Sequence, residues 1–158
     1  MSLAFGGWRR APVASALFCG WMVVCSSARA DLDRDKLADA HRDYGANRFE
    51  QALKTLLDIQ IDTPTSALLD YHLGNVYYRM ERYEDATQAF QRALEIDPDS
   101  PDYHAYLGWA TFLSNPSDPT IHLDAVGHLD QALAINPDEL SALVFYGKVC
   151  ARTENHTN

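Results

Sequence analysis

The fold of this chain is decided by residues 73–98, which read LGNVYYRMERYEDATQAFQRALEIDP. Apolar residues recur in this segment at intervals of three and four, which is the period of an amphipathic helix. The small residues Gly74 and Ala86 allow two helices to cross closely. Phe90 fills the seam between these helices, and Pro98 ends the second one. The segment therefore predicts a pair of antiparallel helices joined by a short turn.

The same pattern lies 34 residues earlier and marks a first helical pair. Ala40 takes the place of the close-crossing glycine in the opening helix. The second helix carries Ala52 and Leu56, and Pro64 marks its end. The opening helix is less regular than its counterpart, as is common for a terminal repeat that faces water.

A third pair follows, with Gly108 at the crossing point and Ala125 in its second helix. The separation of these two residues is five longer than in the second pair, which predicts an insertion between the helices. We expect the insertion to form a loop over the proline-interrupted stretch 114–119. Asp118 is expected to cap the next helix, with Pro119 at its first position.

A fourth unit opens at residues 140–152 without a matching second helix. Leu143, Gly147 and Cys150 occupy packing positions, so the sequence predicts a buried Cys150 thiol and an apolar face prepared for another helix. Three explanations stand: a partner or second copy covers this face, the chain is a truncated relative of a longer array, or the helix tilts to hide it.

The motif Leu73-Gly74-x-x-Tyr77 with Ala86, Phe90 and Pro98 resembles the tetratricopeptide repeat, a helix-turn-helix unit of about 34 residues. The resemblance implies an all-α fold of about seven helices, stacked in antiparallel pairs into a right-handed superhelix. It covers about three and a half repeats, at about 33–66, 67–100, 101–139 and a partial unit at 140–152. Asp70 departs from the family, which usually has tryptophan or a large apolar residue there, and this departure is expected to loosen the packing between the first two units.

The resemblance also implies a concave binding surface, lined by the first helix of each pair. Transferred position by position, the family rule places these residues in a groove for a protein or peptide partner: His41, Tyr44, Tyr71, His72, Asn75, Tyr78, Tyr106, Trp109, Phe112 and Phe145. Aromatic residues dominate binding energy at protein interfaces. Trp109 and Phe112 are therefore expected to make the main contacts.

Some members of this family hold the carboxylate end of chaperone tails with a set of lysine, arginine and asparagine side chains. The matching positions here are Leu37, His41, His72, Asp102 and Tyr106. None of them supplies the lysine or arginine that a carboxylate requires. The sequence therefore argues against binding of chaperone tails.

The first 30 residues have the pattern of a signal peptide, with a basic pair, an apolar run at 14–25 and an Ala-Arg-Ala motif before Asp31. Cleavage there leaves a repeat domain at 31–154 and a polar tail at 155–158. The apolar run is shorter than the roughly 20 residues of a membrane span. We therefore expect an exported protein in the periplasm or outside the cell, with a retained membrane anchor as the alternative.

The charge and the motifs of the sequence argue against several functions. A formal net charge of −9 disfavours nucleic acid, whose phosphates are met by lysine and arginine. His41 and His72 can approach each other across neighbouring repeats, but no third ligand is evident, so no metal or other cofactor is expected. No glycine-rich phosphate loop or nucleophile motif occurs, and the protein is not expected to be an enzyme.

These observations predict an exported adaptor or scaffold that binds a protein partner in its aromatic groove, in a bacterial cell envelope. One rival is a structural protein that forms homo-oligomers through its last helix. Another is a chaperone-like protein for secretion substrates, which would require the leader to be misread. A concentration-dependent mass in solution would separate the first rival from the adaptor.

Overall fold

A computed structural model describes the backbone of residues 34–63 and 65–156 and the side chains as far as Arg152. The described residues form seven helices and no strand, as the sequence predicts. The helices are α1 (34–45), α2 (Phe49–Asp62), α3 (Ala67–Arg79), α4 (Tyr83–Ile96), α5 (Pro101–Ser114), α6 (Pro119–Ile135) and α7 (Leu140–His156). The chain divides into two compact units, Met1–Asp35 and Lys36–Asn158, and the packing described below belongs to the second.

The second helix of each pair uses one pattern of buried residues, with a small residue followed by a large one four positions later. These buried residues are Ala52, Leu56 and Ile59 in α2, Ala86, Phe90 and Ala93 in α4, and Ala125, Leu129 and Ala132 in α6. The spacing places all three on one face of each helix. The repeat spacing, with the five inserted residues of the third pair taken into account, therefore selects the positions that form the core.

In the second and third pairs, glycine is required at the point where the first helix meets the second. A Cβ atom added at Gly74 would lie 2.5 Å from the ring of Phe90, and one at Gly108 would lie 2.7 Å from the carbonyl oxygen of Ala125. Both distances are shorter than van der Waals contact. The two helices of the second pair and of the third pair can cross this closely only because the side chain is absent.

Gly108→Ala should lower the free energy of unfolding by about 1–3 kcal/mol, because the new methyl group overpacks a contact with backbone that cannot rotate away. Gly127 is the matched control, since an added Cβ there meets no atom within 4 Å. Gly127→Ala should raise stability by roughly 0.5–1 kcal/mol through helix propensity. Urea unfolding of both variants tests this, and equal effects would contradict it.

The connection between α5 and α6 lies at residues 115–118, within the expected stretch 114–119, but most of the five inserted residues are helical. Relative to the second pair, three extra residues lengthen the start of α6, one lengthens the end of α5 and one lengthens the connection between them. Helix signals at Asp118 and Pro119 explain this outcome. The Asp118 side chain accepts the backbone N–H of Thr120 at 2.8 Å, which confirms the predicted cap.

Asp70 is a buried carboxylate that connects three helices. It accepts hydrogen bonds from Arg92 Nε in α4 at 2.9 Å and from Gln60 Nε2 in α2 at 3.2 Å. Its side chain is 4% exposed, whereas that of Arg92 is 43% exposed. A buried charge is tolerated when it is paired and hydrogen-bonded. Asp70 thus joins the first two pairs through a polar contact where the family uses an apolar one.

Asp70→Ala should lower the free energy of unfolding by about 2 kcal/mol, because it leaves Arg92 and Gln60 without the acceptor they share. The control, Asp85→Ala, removes the ion pair between Asp85 and Arg82. This pair is exposed, because the Arg82 side chain is 46% exposed and the Asp85 side chain 41%. Exposed pairs contribute about 0–1 kcal/mol, so this control should change little. Chemical unfolding compares the two, and equal losses would show that Asp70 has no special role.

Some expectations lie outside the described residues, namely the signal peptide at 1–30 and the helix stop at Pro64. At the other end, α7 continues to His156, beyond the predicted end at residue 152. Within the described part of the chain, no helix has the length and apolar character needed to cross a membrane.

Candidate functional site

A cavity of about 400 Å³ opens between the first helices of the three pairs, and we call it the N-terminal cavity. It is lined by Ala40, His41, Tyr44, Leu56, Tyr71, His72, Asn75, Val76 and Tyr106. Six of these nine residues were predicted as groove residues. They are His41, Tyr44, Tyr71, His72, Asn75 and Tyr106.

The helical period explains why these residues meet. Tyr71, His72 and Asn75 lie within one turn of α3, so they share one face of this helix. The neighbouring helices α1 and α5 present His41 and Tyr106 to the same space. The lining therefore comes from three consecutive repeats, which fix it without any contribution from a long loop.

Three apolar residues of the lining were not predicted as site residues. Ala40, Leu56 and Val76 are at most 2% exposed and form the floor of the N-terminal cavity. The sequence assigned Ala40 and Leu56 to packing between helices. Both roles hold, because the floor of a cavity is also the outer layer of the core beneath it.

A cluster of rings forms one wall. Tyr71 contacts Tyr103, Tyr106 and Phe90, with ring centroids 5.0, 5.4 and 5.9 Å away respectively. Burial raises the pKa of Tyr71 and also that of Tyr106. Both phenols are therefore uncharged hydrogen-bonding groups on an apolar wall at neutral pH.

The lining also contains a pair of histidines, of which His72 lies beside Tyr71 with ring centroids 5.7 Å apart. The Nε2 atoms of His41 and His72 lie 3.2 Å apart, and the two rings meet edge to face with centroids 4.4 Å apart. Burial, and then the proximity of His41, lowers the pKa of His72 to about 4. His72 is therefore neutral at pH 7. The lining of the N-terminal cavity contains no lysine, arginine, aspartate or glutamate.

The remaining predicted groove is closed, and the expectation that its largest rings are open to a ligand is wrong. Trp109, Phe112 and Phe145 are 5%, 1% and 7% exposed and belong to one core cluster. The rings of Trp109 and Phe145 stack almost parallel, with centroids 5.3 Å apart. On α6, the ring of His122 lies 5.7 Å from that of Phe112. Helices α6 and α7 thus cover these side chains.

Tyr78 belongs to the closed part of the concave side. It is half-buried, and its hydroxyl accepts the Trp109 Nε1–H at 3.1 Å. The charged ends of Lys148 and Arg152 lie 5.3 and 6.0 Å from the Trp109 ring centroid. The indole N–H of Trp109 thus has a hydrogen-bond acceptor within the protein, and its ring has cationic neighbours. Trp109 is therefore held by its neighbours instead of being presented to a ligand.

Metal-ligating side chains do not gather at this site. Among the described side chains, those of residues 34–63 and 65–152, no three of histidine, cysteine, aspartate or glutamate are placed to hold one ion. Cys150 is exposed on α7, so the prediction of a buried thiol is wrong. In the described residues, no second helix packs on the face of α7 that lies beside Cys150.

Comparison with known proteins agrees with this architecture. A sequence model described as a TPR repeat matches residues 74–113. The first tetratricopeptide domain of Spaghetti (RPAP3), bound to an HSP90 peptide, superposes with a TM-score of 0.68 at 12% identity, over 77% of this chain and 93% of that one. These findings establish the fold and support assignment to the tetratricopeptide repeat family.

A bacterial structure superposes similarly. It is the type III secretion chaperone SycD of Yersinia enterocolitica in complex with a peptide of the translocator YopD. The TM-score is 0.65 at 14% identity, and the match covers 79% of this chain and 92% of SycD. At this identity, the match shows a shared fold.

A curated sequence relative is the cytochrome c-type biogenesis protein CycH of Pseudomonas aeruginosa. It is 33% identical over 84 residues, which are 53% of this chain. The match covers 20% of CycH. The chain therefore spans about a fifth of the length of this relative.

The histidine pair predicts a pH-dependent stability. Unfolded histidine binds a proton below pH 6.5, whereas folded His72 resists protonation until about pH 4. The unfolded state therefore gains protons first, and the free energy of unfolding should fall by ~1–2 kcal/mol between pH about 6.5 and about 4.5. His72→Gln should remove this part of the dependence, as measured by urea unfolding at both pH values. An unchanged dependence would contradict it.

Proposed function

We propose that this protein is an adaptor that holds a short segment of a partner protein in the N-terminal cavity. The observation that carries this proposal is the cavity itself, an open space of about 400 Å³ with an apolar floor, a polar rim, and no lysine, arginine, aspartate or glutamate in its lining. Such a site suits one apolar or aromatic anchor side chain, oriented by a few hydrogen bonds. Solved tetratricopeptide domains that share this fold hold peptides, which supports the proposal.

The lining selects for an uncharged anchor. His72 is neutral at pH 7, and the phenols of Tyr71 and Tyr106 are also uncharged. A buried carboxylate needs a paired cation, which the lining does not provide. An internal, uncharged segment of a partner therefore fits this cavity better than a chain terminus with its free carboxylate.

The setting we propose is a bacterial cell envelope. Two observations support it, namely the signal-peptide pattern of residues 1–30 and the similarity to CycH, a cytochrome c-type biogenesis protein. The similarity to SycD favours a second candidate function, a chaperone-like protein that holds a secretion substrate. Both functions use the same cavity and differ in the fate of the bound segment.

The test is a selection of displayed peptides on the processed protein, followed by calorimetry with the selected peptide. The variant pair His41→Ala and Asn75→Ala, combined in one protein, removes two polar groups from the rim of the cavity. We expect binding to weaken at least about tenfold, which corresponds to about 1.4 kcal/mol. Circular dichroism and the unfolding midpoint show whether the variant remains folded.

The matched control lies in a second depression, which is lined by Lys54, Leu57 and neighbouring residues of α2. Lys54→Ala combined with Leu57→Ala should leave the affinity unchanged. If the control loses binding while the cavity variant keeps it, the partner occupies the second depression and the proposal fails.

A further inference from the structure

Helix α7 has two contrasting faces. Ala142, Phe145 and Val149 are buried against the rest of the domain. The opposite face exposes large apolar side chains, with Leu140 71%, Leu143 49% and Val144 45% exposed. Gly147 and Ala151 continue this face and are also exposed. We call Leu140, Leu143, Val144, Gly147 and Ala151 the α7 stripe.

The repeat geometry shows that this face is shaped for a helix. Gly147 is the counterpart of Gly74 and Gly108, at which an added Cβ would collide with the second helix of the pair. A Cβ at Gly147 meets no atom of the described residues within 4 Å. The close-approach position is therefore present, whereas the described residues place no helix upon it.

The spacing within the α7 stripe identifies the helix that fits. Leu140, Val144, Gly147 and Ala151 follow one another at intervals of four, three and four, which is the spacing of a heptad seam. Two large residues occupy the first half of the seam and two small ones the second half. If two such helices lie antiparallel, each large side chain faces a small one of the other copy.

We propose that the α7 stripe is the contact by which a second copy of this chain docks, with the two α7 helices antiparallel. Leu140 of one copy then faces Ala151 of the other, and Val144 faces Gly147. Each of these contacts occurs twice, as a two-fold axis requires. Large-to-small contacts let the helix axes approach closely, in the same way as Gly74 and Phe90 do within one chain.

Self-complementarity is the reason to choose a second copy over a foreign helix. The helices that cover Gly74 and Gly108 present a large residue, Phe90 or Leu129, to the glycine. Val144 supplies such a residue on the α7 stripe itself, and the four seam positions include no charged side chain. The contact is small, so the association should be weak, with a dissociation constant of about 1 μM to 1 mM.

Sedimentation equilibrium of the protein, expressed from the full sequence and processed by its host, measures the association. The average mass should rise toward twice the monomer mass as concentration increases. Gly147→Leu fills the hole opposite Val144 and should weaken association at least about tenfold. Gly127→Leu is the control, because Gly127 is also a helical glycine with open space around it. A monomer at every concentration, or equal behaviour of both variants, would overturn the proposal.

Disulfide trapping tests the orientation. In a Cys150→Ser background, a mixture of Leu140→Cys and Ala151→Cys proteins should form a cross-linked dimer under mild oxidation. Neither variant alone should do so, because identical positions lie about 16 Å apart along antiparallel helices. Cross-linking of each variant with itself would indicate a parallel arrangement and contradict the proposal.

A foreign occupant gives a different result. A peptide with the sequence of residues 119–135 carries the alanine and leucine pattern that covers Gly108. If the protein stays monomeric and this peptide binds the wild type but not Gly147→Leu, the face receives another helix and the proposed self-association is wrong.

Discussion

The contact between Gly74 and the ring of Phe90 is the constraint on which the structure depends. It lets α3 and α4 cross with no side chain between them, and the contact of Gly108 with Ala125 and Leu129 repeats it one unit later. A larger residue would separate the helices of a pair and change how the next pair stacks. Because α3 and α5 are held against their partner helices in this way and α1 packs through Ala40, the exposed faces of the three helices meet around one cavity.

The stacking also decides which part of the concave side stays open. Helix α7 places Phe145 on Trp109, and α6 places His122 against Phe112. The largest aromatic surfaces thereby become core, and they stabilise a terminal half-repeat that has no second helix in the described residues. The N-terminal cavity keeps smaller tyrosine and histidine groups at its rim. Packing has therefore left a neutral, partly polar site where the sequence indicated a continuous aromatic groove.

The sequence predicted the fold well because core positions follow a fixed period. Ala52, Ala86 and Ala125 are all fully buried, at the places that the repeat spacing selects once the five inserted residues of the third pair are counted. The groove was harder to predict, because the exposure of Trp109 depends on a helix that begins 31 residues later. Periodicity assigns a residue to a helix face, and it does not show whether another element covers that face.

Two further features depend on contacts that periodicity does not reveal. Asp70 violates the apolar pattern, and its partner Arg92 lies 22 residues away on another helix. The extra residues of the third pair suggested a lengthened loop, yet most of them lie in α5 and α6, where Pro119 is the first residue of α6 as predicted. In both cases, a residue that interrupts the repeat pattern has a structural role: Asp70 joins helices, and Pro119 begins one.

The accessibility of Trp109 tests most directly the claim that α7 closes half of the concave side. Trp109 is the only tryptophan after residue 30, so in protein that lacks residues 1–30 the fluorescence excited selectively at tryptophan reports on it alone. Acrylamide quenching should be weak in the folded protein, strong after unfolding, and unchanged when a peptide fills the N-terminal cavity. Quenching of the folded protein as strong as that of the unfolded chain would show that Trp109 lines an open groove and would contradict this account.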